Sequence, residues 1–128
     1  MKFFDVPTRS REQFVNITAQ VQQAVQALGI ADGVVTLFVP HTTCGLTINE
    51  NADPHVVSDM LRQLDVMVPL RQAFYEHSEG NSAAHIKASL MGCSLQVLVT
   101  CGHVDLGVWQ GIYLCEFDGP RARRVWVQ

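Results

Sequence analysis

Three of the five histidines stand beside features that could put them to chemical use. His41 follows the apolar run "GVVTLFVP", and His77 and His85 flank "SEGNSAA", a glycine-containing stretch that leads into helical text. Imidazole suits zinc and other late divalent metals, and three histidines with an open fourth position make a catalytic metal geometry. His41, His77 and His85 are therefore a candidate metal triad. Their spacing follows no standard zinc motif, and each ring could instead satisfy a local hydrogen bond. His55, in the first turn of an expected helix, and His103, in the turn "CGHVD", read as solvent-exposed.

A second kind of chemistry is anion binding. The helix start expected at Asn81-Ser82 offers free backbone N–H groups and a positive dipole end. Thr42, Thr43 and Ser82 could add hydroxyl donors, and Lys87 and Arg121 could add charge. Ser89 falls one turn beyond His85 on the same helix face. A phosphate site and a plain set of caps and turns fit this text equally well. Among the acids, Asp53 is accounted for as a helix N-cap and Asp118 by the turn "DGPR". Glu50 and Glu79 have no such job, which makes them candidates for proton transfer or metal binding, or else solvated loop acids. Gln110 sits mid-strand in apolar text and needs a hydrogen-bond partner if it is buried. Trp109 takes the opposite face of that expected strand.

These side chains must be positioned by regular elements. Met1–Val6 reads as a first strand. Ser10 is a helix cap with Gln13 in the capping-box place. Phe14, Ile17, Val21, Val25 and Leu28 recur at helical spacing up to Gly29. "GVVTLFVP" and "GLTIN" are strands. Asp53-Pro54 opens a second helix with Val57, Met60, Leu61 and Leu64 as its apolar stripe. Met67–His77 is irregular by pattern. A third helix runs from Ser82 to Met91 and closes at Gly92. "SLQVLVTCG", "VWQGIYLCEF" and "RRVWVQ" complete the strands. The sum is an α+β domain over residues 1–128, a mostly antiparallel sheet carrying about three helices.

Composition narrows the partners. The 128 residues are 48% hydrophobic, enough for a real core, and only 16% charged. So few charges point to surface covered by other subunits. A net charge of −3 argues against nucleic acid, and Arg121, Arg123 and Arg124 form only a small patch split over two strand faces. No run is long and apolar enough to span a membrane, and the N-terminal text turns polar too early for a signal peptide. Cys44, Cys93, Cys101 and Cys115 form no CxxC pair, so reduced, semi-buried thiols in a cytoplasmic protein are expected.

Three stretches together, "HTTCGLTINENADP", "HSEGNSAAHIKASLMG" and "LGVWQGIYLCEFDGPRARRV", resemble the YjbQ-like family, and the resemblance runs nearly the whole chain. It implies an α+β fold with a mixed, barrel-like sheet, a homotrimer, and a cleft at or near a subunit boundary. It also implies secondary thiamine-phosphate synthase activity, in which a pyrimidine methyl pyrophosphate joins a thiazole phosphate and pyrophosphate leaves. A small phosphorylated metabolite is the expected ligand. A divalent metal, zinc or magnesium, is the only cofactor in view, and no organic cofactor is expected. The family's histidines fall on His41, His77 and His85, its Asn-Glu-Asn run on Asn49, Glu50 and Asn51, and its Glu-Gly-Asn run on Glu79, Gly80 and Asn81. One departure is Val108, where the family usually carries threonine. If that hydroxyl lines the cleft, its loss alters the ligand or weakens its binding.

Overall fold

The computed structural model describes residues 1–128. Its elements are β1 (Lys2–Pro7), β2 (Gln13–Asn16), α1 (Thr18–Leu28), β3 (Gly33–Phe38), β4 (Cys44–Glu50), α2 (Pro54–Met67), α3 (Ser82–Met91), β5 (Ser94–Thr100), β6 (His103–Val104), β7 (Gln110–Glu116) and β8 (Ala122–Val127). They build two sheets, one in the order β1-β8-β3-β5-β6 and one in the order β2-β7-β4. Every ladder is antiparallel. Three helices on a mostly antiparallel α+β framework is what the text implies.

The main core lies between the sheets. Val35 and Leu37 of β3, Val97 and Val99 of β5 and Val125 and Val127 of β8 alternate inward. They meet Leu46 of β4 and Ile112 and Leu114 of β7, with Val21 and Val25 of α1 closing the end. A second cluster forms on the other face of β7, where Tyr113, Cys115 and nearby Phe117 pack under Leu64 of α2 and Ala84 and Ala88 of α3. β7 is thus buried on both faces. That explains its near-continuous apolar text better than simple alternation does. No helix is long and apolar enough to cross a membrane.

The first expected helix is half wrong. Residues 13–16 form a strand on β7, with Phe14 opposite Cys115, and α1 begins only at Thr18. Asn16 makes the break: its Oδ1 accepts from Thr18 N (3.0 Å) and Thr18 Oγ1 (2.7 Å). This is the local competition with helix that short polar side chains offer. Ser10 caps nothing helical, and Gln13 Oε1 accepts from Arg9 N instead. Phe14 leaves the helical stripe and packs against Tyr113 and Phe117. The remaining stripe and its end at Gly29 stand as expected; Gly29 has φ 69° and closes the helix through Gln26 and Val25 carbonyls. β7 also starts later than its text implies, because Val108 and Trp109 form the turn before it. Trp109 is exposed and is not core.

α3 is pressed onto β4. A Cβ built at Gly45 would lie 2.7 Å from Met91 Cβ and 2.8 Å from the Gly92 carbonyl oxygen. Leu46 N also donates to Gly92 O. The outer face of the larger sheet has no such cover. There Phe38 stacks on Trp126, the Arg124 guanidinium lies 4.1 Å above the Phe3 ring, and Val34 and Leu98 pair in full view of solvent.

Candidate functional site

The segments that should carry chemistry meet at one end of the β4–β7 pair. β3 ends at Phe38, Val39 is tied to the Cys93 carbonyl, and residues 40–43 then turn into β4. From the opposite side, the 117–121 turn between β7 and β8 comes back beneath α3. Asn81 precedes α3, yet its side chain does not cap the helix. It donates instead from Nδ2 to Asp118 Oδ2 at 2.8 Å. Ala84 N–H reaches the Asn81 carbonyl at 3.0 Å, which leaves the Ser82 and Ala83 N–H groups of the first turn of α3 without a capping side chain.

Beneath this junction lies a buried charged network. Glu116 is 0% exposed and Arg123 is 4% exposed. Arg123 donates from Nε to Glu116 Oε1 at 2.8 Å, from Nη2 to Glu116 Oε2, and from Nη2 to Thr43 Oγ1 at 2.7 Å. Thr8 Oγ1 donates to Glu116 Oε1, and the Phe117 and Asp118 N–H groups donate to Oε2. Burial by itself would raise the Glu116 carboxyl, but these donors outweigh it and hold it below the ordinary carboxylate range. Asp118 is likewise held down against its burial, by Asn81 and Arg121. Arg121 gives Nε to the Asp118 carbonyl and Nη2 to its carboxylate, and its half-exposed side chain keeps Nη1 for another partner.

His41 joins the rim of this network through its ring. The Arg124 backbone N–H donates to His41 Nε2 at 2.9 Å. A ring nitrogen that accepts an N–H carries no proton, so the proton sits on Nδ1. Burial, then the Arg123 guanidinium, lowers the His41 pKa, in keeping with a neutral ring. His77 and His85 stand edge to face, ring centroids 5.3 Å apart.

The result is an open cleft of about 470 Å³. His41, Thr42 and Thr43 line one wall, and His77, Glu79, Asn81 and His85 the other, with Arg121 and Arg123 at the base beside Asp118. Eight of the residues singled out in the sequence are thus brought together, all but Arg123 and Asp118 of those just named. Ser82 lines a neighbouring recess that shares His77 and His85. Ser89 lines another hollow with His41, Thr42 and His85, and its hydroxyl donates back to the His85 carbonyl at 2.9 Å.

Other expected residues are elsewhere. Asn49, Glu50 and Asn51 stand at the far end of β4, about 20 Å from Thr43 at ~3.3 Å per residue. There Asn49 Oδ1 accepts from Glu50 N, the Glu50 carbonyl accepts from Tyr113 OH, and Asn51 packs over Gly111. Gln110 is exposed and folds back onto its own turn, accepting from Gly107 N at 2.8 Å. Within one chain these four residues do not face the histidines. Val108, at 84% exposure in the same turn, does not line the histidine cleft either. Lys87 is not in the cleft: it is buried, with Nζ on Asp65 Oδ1 (2.5 Å) and Glu12 Oε1 (3.1 Å).

Nor do the three histidines form a metal centre here. No three His, Cys, Asp or Glu side chains are arranged to hold an ion, and His41 Nε2 is engaged by a backbone N–H. The thiols are not poised as ligands or nucleophiles at depth either. Burial pushes Cys44 up to about 12 and Cys115 higher still, while Cys93 and Cys101 are exposed.

Arg123, Glu116 and Asp118 are the site residues that sequence reasoning passed over. The signal was parity. Residues 123, 125 and 127 share a strand face, so Arg123 points inward with two valines. An inward arginine needs a buried acid, and Glu116 closes a strand that is apolar on both faces.

An α+β domain of two antiparallel sheets, with a polar histidine–arginine cleft between a β-turn and a helix start, defines the class of protein. The chain belongs to the YjbQ-like family: the family model described as "UPF0047 protein YjbQ-like" matches residues 2–128. It is 46% identical over 128 residues to UPF0047 protein YugU of Bacillus subtilis, covering 100% of this chain and 97% of that one. It is 46% identical over 125 residues to UPF0047 protein MJ1081 of Methanocaldococcus jannaschii, covering 98% and 90%. Among solved structures, an uncharacterised family member from Clostridium acetobutylicum superposes with a TM-score of 0.96 at 51% identity, covering 100% and 98%. The conserved hypothetical protein TT1486 of Thermus thermophilus gives 0.94 at 48%, with the same coverage. None of these names states an activity.

Proposed function

We propose that the cleft binds a small phosphorylated metabolite and acts as a thiamine-phosphate synthase-like transferase. In that reaction the thiazole nitrogen bonds to the methylene carbon of the pyrimidine, the methylene C–O bond breaks, and pyrophosphate leaves with the electron pair. The observation that carries the reading is the donor set: Arg121, Thr42, the neutral His41 and the uncapped start of α3 converge on one open cleft. Such fixed donors stabilise charge as it develops on a leaving group. Asn81, 9% exposed, gives Nδ2 to Asp118 and keeps its Oδ1 buried without a partner, so its free group is an acceptor and offers nothing to a phosphate oxygen.

In this reading Arg121 holds phosphate, Thr42 adds a hydroxyl, and His85 and Glu79 handle protons, with Ser82 set in the neighbouring recess. Thr43 and Arg123 hold the wall in place. No step is routed through a metal, because His41 would first have to give up the Arg124 N–H. Glu50, with Asn49, Asn51 and Gln110, takes part only if a second copy brings that end of β4 to the cleft. A homotrimer belongs to the same proposal, and the uncovered Phe3–Trp126–Phe38 face is what supports it. Light scattering on the purified protein tests that assembly.

The test of the activity is His85→Ala and Arg121→Ala in the purified protein, assayed for thiamine phosphate formation together with metal content. Each variant is expected to lose activity at least tenfold, with no metal bound in stoichiometric amount by wild type. Full activity in both variants would refute the reading. A binding protein without chemistry is favoured by one observation, that Arg121 and Arg123 are already paired with carboxylates. It predicts phosphate-ester binding in wild type with no turnover.

A further inference from the structure

The cleft is short of positive charge. Imidazoles apart, the guanidinium groups of Arg121 and Arg123 face the carboxylates of Glu79 and Asp118, and Glu116 lies paired beneath Arg123. An anion drawn by charge alone would find little to attract it. Arg123 is spent on Glu116 and Thr43, which leaves Arg121 to meet a ligand, and Arg121 brings Asp118 with it.

The pairing closes one side of the guanidinium and leaves the other open. Arg121 puts Nε on the Asp118 carbonyl at 2.8 Å and Nη2 on Asp118 Oδ2 at 2.9 Å, so the Nη1 end is free. Asn81 Nδ2 takes the same Oδ2 at 2.8 Å. Asp118 Oδ1 accepts no hydrogen bond within the chain, yet it is not shut away, because Asp118 lines the cleft with its side chain 21% exposed. Asn81 has nothing to give that oxygen: its amide donates to Oδ2, and its own Oδ1 is a further buried acceptor. Burial would raise the Asp118 carboxyl, but the Asn81 and Arg121 donors hold it below its ordinary range, so it stays an acceptor. An oxyanion on the open end of Arg121 therefore has an unpaired carboxylate oxygen for a neighbour. A fully ionised oxyanion meets repulsion there, whereas one that keeps a proton meets an acceptor for it.

We infer that Asp118 is a specificity-determining residue that reads a proton on the bound oxyanion, so that the cleft takes phosphate groups in their singly ionised, P–O–H form and rejects oxyanions with no proton to give. This rests on the phosphate reading of the cleft given above. It adds which ionisation state is taken and which residue chooses it. The other titratable or charged groups around this carboxylate are Glu116, Arg121 and Arg123 on the β7–β8 side, His77, Glu79 and His85 on the α3 side, and His41 on the opposite wall. A change of charge on an imidazole acts on every anion alike, so comparing two anions separates the histidines from Asp118.

Methyl phosphate and methyl sulfate test it by calorimetry. The two are close in shape, and methyl sulfate carries one charge and no proton. An alkyl phosphate loses its second proton near pH 6, so at about pH 5 the esters are matched in charge and differ by one O–H. Wild type should then bind methyl phosphate at least about tenfold tighter, the scale of one charge-assisted hydrogen bond. That advantage should shrink at least about tenfold by about pH 8, where little of the phosphate keeps its proton. Asp118→Asn should bring the two esters within about threefold at about pH 5, and at about pH 8 it should bind methyl phosphate more tightly than wild type does, since an amide can donate to an ionised oxygen. A residue that only buttressed Arg121 would, on substitution, weaken both esters and leave their ratio alone. If methyl sulfate binds wild type as well as methyl phosphate or better at about pH 5, or the ratio does not change with pH, the proton reading is wrong while the phosphate cleft stands. The wild-type ratio decides this even where the variant does not fold. If the ratio survives in folded Asp118→Asn, Asp118 is not the reader. If neither ester binds wild type, the phosphate reading fails and this one with it.

Discussion

The two ends of β4 are written in the same polar alphabet and are used in opposite ways. At one end, Thr43 accepts a hydrogen bond from a buried arginine, which is in turn locked to a buried glutamate. At the other, Asn49 and Gln110 satisfy themselves on neighbouring backbone, in solvent. The first arrangement crosses long stretches of chain, from Thr8 to Arg121 and from Thr43 to Arg123. The Asn49 and Gln110 bonds to backbone close within three residues of chain. Polar density alone therefore does not locate a site. What marks the cleft is that its polar groups are held from beneath by charges that have lost their water.

The sharpest way to break this contrast is Arg123→Met. It leaves Glu116 buried and unpaired, and a loss of about 3–5 kcal/mol is expected in urea unfolding. A loss near zero would mean that the network is no different from surface polarity. The pH dependence should follow. Glu116 is held below its ordinary value of 4.5, so its share of stability is full above pH 4.5 and falls away as the pH drops below it. Gly45→Ala comes next. The added methyl meets Met91 and the Gly92 carbonyl, and overpacking of that kind costs about 1–3 kcal/mol. Because α3 carries His85, this variant should also weaken phosphate-ester binding, whereas a change at the other end of β4 should not.

Gln110→Ala probes that other end. One exposed turn bond is worth about 0.5–1.5 kcal/mol at most, measurable as a small shift of the denaturation midpoint. The smallest effect concerns His41. Its pKa is lowered from 6.5 by burial and then by Arg123, so its contribution is complete above pH 6.5 and declines as the pH falls below that value. The stability gap between wild type and His41→Gln should narrow on acidification from about pH 7 to about pH 5. A gap that widens would show the ring to be charged in the folded protein.

Much of the framework was legible because periodicity reports burial. α2 and the inward valines of β3, β5 and β8 stand where their spacing puts them, whereas α3 has its expected ends but not the core face expected of Ala83, Ile86 and Leu90: it buries Ala83, Ala84, Lys87 and Ala88 and leaves Ile86 and Leu90 exposed. The N-terminal half of the first helix was misread because Phe14 and Ile17 fit a helical stripe by accident, and a single Asn16 carboxamide decided the matter. The histidine cleft was legible in its residues: His41, His77, His85, the threonines, Glu79, Asn81 and Arg121. Its foundation was not. Glu116 is written inside an apolar strand and Arg123 inside a basic triplet, and only the packing of the two sheets on each other shows that they belong together. The Asn49–Asn51 run enters the site only through the family resemblance, and within one chain a strand of seven residues carries it across the molecule, away from the histidines.

The close seating of α3 on Gly45 has one more consequence. A helix that cannot slide or lift makes its side of the cleft a fixed jaw. The irregular segment from Val68 to Gly80, which shares that wall, carries Phe74, His77 and Glu79 and is braced by local hydrogen bonds, such as Tyr75 N to Gln72 O and Gly80 N to His77 O. Ligand preference among relatives should therefore travel with that one loop. Exchanging it between two family members would transplant selectivity onto an unchanged frame.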